Sequence, residues 1–123
     1  MYQNGYQQYK MQAVNTMTKG EMLLLLYDEL IKRLTRAEMA LEKEDYEVFE
    51  ASVKRSGEIV QYLKDTLNTE YSISRELQRM YDFFLYEVSR LQASRNKAVV
   101  EELRPLVMEL LDAFREANKT SGV

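Results

Sequence analysis

The chain contains no cysteine, no histidine and no tryptophan, and only one proline and four glycines. Each shortage excludes something. Without cysteine there is no disulfide, which fits a reducing compartment. Without cysteine and histidine there is no thiolate or imidazole metal ligand, and neither residue can act as nucleophile or base. Phosphotransfer bundles need an acceptor histidine, and haem ligation usually needs one too. Di-iron bundles use a Glu-x-x-His pair on two helices. Scarce glycine and proline remove the residues on which tight turns depend. A few long helices are therefore expected rather than a sheet.

Long hydrophobic runs are also missing. The longest purely apolar stretch, residues 22–27, is far too short to span a bilayer. Residues 1–10 are rich in Gln and Tyr and lack the basic start and apolar stretch of a signal peptide. The formal net charge of −3 makes nucleic acid and anionic membrane poor partners. The chain therefore reads as cytoplasmic, with no nucleic-acid binding and no membrane insertion. There is no Gly-rich phosphate loop. The Asp and Glu residues are scattered over helical faces, which suits solubility better than acid–base catalysis. No cofactor, metal site or enzymatic activity is expected.

What is present is a globular balance, with 46% hydrophobic and 30% charged residues in 123, enough for one domain with one modest core. Thr18-Lys19-Gly20-Glu21 is a capping box that starts a helix. Leu23, Tyr27, Leu30, Leu34, Ala37 and Leu41 then recur at three- and four-residue spacing, and the helix is expected to run to about Lys43. Asp45 is the next N-cap. Tyr46, Phe49, Val53, Val60, Leu63 and Leu67 form a second stripe, with Ser56 or Gly57 filling its gap and Gly57 offering a close approach to a neighbouring helix. After a loop at residues 68–72, Ile73, Leu77, Met80 or Tyr81, Phe84, Val88 and Leu91 form a third. A turn at residues 94–96 leads to the fourth, carried by Val100, Leu103, Val107, Leu110, Phe114 and Ala117. Pro105 falls inside this last pattern and predicts a kink or break. Four amphipathic helices with short loops imply an all-α, antiparallel up-down four-helix bundle with an N-terminal extension.

The helices carry more apolar side chains than one stripe each requires. Met22, Leu24, Leu25, Ile31 and Met39 lie off the first stripe, and Ile59 and Tyr62 off the second. Phe83, Leu85 and Tyr86 lie off the third, and Val99, Leu106 and Leu111 off the fourth. Residues 1–17 show no periodicity yet hold Tyr2, Tyr6, Tyr9, Met11, Val14 and Met17. A soluble monomer rarely leaves large contiguous apolar patches bare. The surplus calls for a second copy, for cover by the N-terminal segment, or for a groove that takes a partner helix. Lys32, Arg33 and Arg36 form a small basic cluster that reads as a solvated face.

The order of these residues resembles the flagellar secretion chaperones of the FliS family over residues 9–117. Leu26-Tyr27-Asp28, Ile31, Leu34, Ala37, Ala40-Leu41-Glu42 and Asp45 are similar to the family's first bundle helix. Tyr9 and Val14-Asn15-Thr16 resemble its N-terminal signature. Ile59-Val60, Leu63 and Leu67 resemble its second helix, and Met80-Tyr81-Asp82-Phe83 its Leu-Tyr-Asp-Tyr motif. Leu110-Leu111-Asp112-Ala113-Phe114 is similar to its Asp-Ala-Trp segment. Lys19 stands where the family usually has Pro, Phe114 replaces Trp, the usual Gly-Gly before the third helix is missing, and Pro105 is additional.

The resemblance implies a chaperone that binds the C-terminal segment of flagellin, partly as helices laid in surface grooves. It would block premature polymerisation and present flagellin to the flagellar type III export apparatus. The N-terminal segment would cover part of the binding surface in the free protein. On this reading residues 1–17 are a flexible N-terminal segment, 18–118 the bundle and 119–123 a C-terminal tail. The partner-binding residues are Tyr6, Tyr9, Met11, Leu24, Ile31, Ile59, Tyr62, Tyr81, Phe83 and Leu85. The alternative is a structural or adaptor bundle that self-associates, as a homodimer for example, through the same apolar surplus.

Overall fold

The computed structural model describes residues 17–121. They form four helices and no strand: α1 (Lys19–Glu42), α2 (Tyr46–Asp65), α3 (Ser74–Ser94) and α4 (Lys97–Ser121). The helices close into an antiparallel ring in which α1 packs on α2 and α4, and α3 packs on α2 and α4. This is the up-down bundle expected from four amphipathic helices and short connections.

The helix ends follow from local hydrogen bonding. Thr18 caps α1: its Oγ1 accepts from the Glu21 N–H at 3.1 Å and donates back to Glu21 Oε1 at 3.3 Å. Asp45 caps α2 by accepting from the Val48 N–H at 3.2 Å. Between them the chain turns in a Schellman motif. The Asp45 N–H donates to the Ala40 carbonyl at 2.8 Å and the Glu44 N–H to Leu41 at 3.1 Å. Glu44 sits in the left-handed region, with φ 56°, where glycine is the usual residue. The α3–α4 turn is tighter still. Arg95 is left-handed, and Asn96 accepts from the Ala98 N–H at 2.9 Å to open α4.

The core follows the four stripes, with particular departures. Tyr27, Leu30, Leu34, Phe49, Val53, Val60, Phe84, Leu91, Leu103 and Val107 are all buried. Tyr81 rather than Met80 takes the central position on α3. Tyr46 and Ile73 are exposed at the helix starts, and Ala117 is exposed near the end of α4. Tyr46 instead lies beneath the Arg95 guanidinium, 4.3 Å from the ring centre. Ser56 fills the α2 gap by donating its hydroxyl to the Ser52 carbonyl at 2.9 Å. A Cβ on Gly57 would meet Val88 Cγ1 at an ordinary 3.6 Å, so helix packing does not require the glycine expected to permit a close approach.

Pro105 does not break the last helix. α4 is continuous from Lys97 to Ser121, past residue 118 where the bundle was expected to end. Pro105 and Glu101 both lie on the exposed side. The carbonyl that loses its helical donor is therefore one that water can serve.

Candidate partner-binding surface

A helix in a four-membered ring touches two neighbours as well as the centre, so its buried arc is wider than a narrow stripe. That width absorbs part of the apolar surplus. Ile59, Val99 and Leu111 are core residues. Tyr81 is fully buried, and its hydroxyl is hydrogen-bonded to that of Tyr27 on α1. The surface roles expected for Ile59 and Tyr81 are thereby corrected, since neither reaches the outside of the bundle. Burial first, together with the neighbouring phenol, pushes the Tyr27 hydroxyl well above the usual phenol range. Burial also raises Tyr81, which the hydrogen bond from Tyr27 partly offsets. Both phenols stay protonated, so they form a structural pair rather than an acid–base pair.

The other expected residues fall on separate faces. Leu24, Ile31 and Leu85 are half-buried and pack against the core. Leu24 and Ile31, seven residues apart, share a side of α1 with Glu38. That side meets α4 through Arg104, which donates to Thr35 at 3.2 Å and to Glu38 at 3.0 Å. Tyr62 on α2 and Phe83 on α3 are exposed, at 52% and 46%. Tyr6, Tyr9 and Met11 lie outside the described residues.

The strongest local grouping is on α3. Phe83 and Tyr86, three residues apart, are both exposed on neighbouring positions of the helix surface, with half-buried Met80 one turn before Phe83. The Phe83 ring stands 6.4 Å from that of buried Phe84. Glu87 follows one turn later and is itself buried. Its Oε1 accepts from Arg90 at 2.8 Å, while Oε2 is buried with no partner among the described residues. Arg90 also approaches Glu102 on α4 at 3.9 Å. Met108 on α4 is exposed but lies outside the expected set. Its only signal is an apolar residue off the Leu103, Val107, Leu110 stripe.

Among the described residues no cluster of Asp and Glu could hold a metal ion, and no helix is long and apolar enough to cross a membrane. The architecture is that of a flagellar chaperone. A solved structure described as "Crystal structure of flagellar chaperone from bacteria" superposes with a TM-score of 0.81, covering 98% of this chain and 100% of that one. At 16% identity that likeness is one of fold. The family follows from sequence. Residues 2–121 match the family model "Flagellar protein FliS". The chain is also 30% identical over 115 residues to the flagellar secretion chaperone FliS of Bacillus subtilis (strain 168), covering 94% of this chain and 86% of that protein. The chain belongs to the FliS family of flagellar secretion chaperones.

Proposed function

We propose that the protein is a cytoplasmic export chaperone that binds the C-terminal segment of flagellin, prevents its premature polymerisation and presents it to the flagellar type III export apparatus. Family membership supports the reading, and one structural observation carries it. Large aromatic side chains, Phe83 and Tyr86 on α3 and Tyr62 on α2, stand in water on a bundle whose core is already filled. Aromatic groups of this size are what protein interfaces bury. A segment that folds as helices against the bundle would cover several such faces at once. The protein works by binding and not by catalysis. The segment before α1 is a cover that the partner displaces.

The second reading, self-association, is favoured by the same exposed aromatics, which a second copy would also bury. Light scattering on the protein alone and with monomeric flagellin separates the two. The chaperone reading expects a monomer that forms a stoichiometric complex and delays filament growth. A stable dimer that leaves flagellin free supports the alternative and overturns the first.

A further inference from the structure

The basic cluster of α1 occupies a built position on the bundle. Lys32, Arg33 and Arg36 line a surface hollow of about 250 Å³ together with Glu29. Arg33 and Arg36 also line an adjoining hollow of about 300 Å³, whose opposite wall is the first part of α2, including Glu47, Val48, Ala51 and Ser52. The two arginines therefore stand between two depressions at the α1–α2 seam.

Their charges are unequally used. Lys32 is engaged by Asp28 at 3.0 Å. Arg33 reaches Glu29 only at 3.7 Å, and its Nε is buried with no hydrogen-bond partner among the described residues. Arg36 is exposed and makes no ion pair with any described residue. The Arg33 side chain nevertheless keeps about a third of its surface open to water, and a guanidinium fork matches a carboxylate in plane. Beside the arginines the second hollow offers half-buried Val48 and exposed Ala51, small apolar ground next to positive charge.

We propose that this seam is a docking site for an acidic segment of another polypeptide, whose carboxylates pair with Arg33 and Arg36 while a small apolar side chain rests against Val48 and Ala51. Charge complementarity selects the occupant. The chain's own residues 1–16 contain no Asp or Glu, so that segment cannot supply the carboxylates. Glu47 on the far wall and Glu29 at the near end disfavour a polyanion such as nucleic acid, which would bring charge to both. Arg33 and Arg36 are separated by roughly 4.5 Å along α1, about one helical turn, so two carboxylates one turn apart on a partner would face the two arginines. The site is separate from the aromatic surface of α3 and does not depend on flagellin binding there.

The test uses the full chain labelled with ¹⁵N. The probe is a twelve-residue peptide with two glutamates four residues apart on one face and leucine and alanine between them. A second peptide replaces both glutamates by glutamine. The expected result is a saturable shift of the Arg33 Nε–H signal and of backbone amides at residues 29–36 and 47–52 with the glutamate peptide. The R33Q/R36Q double variant should lose about tenfold or more in affinity, because it removes both guanidinium partners of the carboxylates. R36E should bind a lysine-substituted peptide in place of the original. Four results would overturn the proposal: no saturable shift up to about millimolar peptide, equal binding of the glutamine peptide, a response to inorganic phosphate matching that to the peptide, or perturbation confined to other faces.

Discussion

The hydroxyl of Tyr27 on α1 meets the hydroxyl of Tyr81 on α3 inside the bundle, with both side chains completely buried. Helices α1 and α3 are not neighbours in the ring, so this bond ties opposite corners through the core. Tyr27 also stacks at a tilt on Phe114 of α4, with ring centres 5.6 Å apart. Either hydroxyl alone would be a buried polar group without a partner. Tyr27→Phe or Tyr81→Phe should each lower stability by about 1–3 kcal/mol, because the surviving hydroxyl is stranded. The double variant removes both hydroxyls and should cost less than the sum of the two. Urea denaturation of the four proteins closes the cycle. Additive losses would show that the two phenols do not depend on each other.

The same pair makes the bundle sensitive to alkali. Both phenols have pKa values raised by burial, so the folded state keeps their protons while the unfolded chain gives them up near pH 10. Stability is therefore fully present below about pH 10 and falls above it, by up to about 1.4 kcal/mol per pH unit for each phenol. Urea midpoints measured from pH 8 to 11 should fall for the parent chain and fall less steeply for the double Phe variant. Equal slopes would contradict this account of the core.

Two backbone positions are predicted to be improvable. Glu44 pays for a left-handed conformation that glycine adopts freely. Glu44→Gly should raise stability by about 0.5–1 kcal/mol once the entropy of glycine is deducted. Gly57 lies inside α2, with room for a methyl group beside Val88. Gly57→Ala should raise stability by up to about 1 kcal/mol. Urea midpoints read both effects.

The fold was legible because its signals are local. Thr18 with Glu21, and Asp45 before Tyr46, announce helix starts through hydrogen bonds between near neighbours. The site was only partly legible. Periodicity marks the middle of a buried arc but not its width, which depends on how neighbouring helices close around it. Ile59, Val99 and Leu111 thus read as surplus and are core. Met80 and Tyr81 are adjacent in the chain, and only the meeting with Tyr27 across the bundle decides between them. Pro105 reads as a kink or break because sequence does not show that Glu101, one turn before it, faces water; the helix runs through it unbroken.

Surface substitutions should separate binding from folding. Phe83→Ala and Tyr86→Ala remove exposed rings, so each should change stability by no more than about 1 kcal/mol while weakening flagellin binding about tenfold. Tyr9→Ala should alter flagellin affinity and leave thermal stability nearly intact, as expected of a displaceable cover. Calorimetric titration and thermal melts on the same samples read both properties. Unchanged affinity with Tyr9→Ala, or loss of the folded bundle, would end the cover idea.

The proposed function has the bundle receive the C-terminal segment of flagellin. Isothermal titration of the full chain with a peptide of that segment from the same organism's flagellin, repeated at several temperatures, tests it most directly. The account predicts one peptide per chain, a gain in helix content by circular dichroism and a negative ΔCp from apolar burial on coupled folding. Absence of binding at about tens of micromolar peptide, or binding without added helix and with ΔCp near zero, would contradict it.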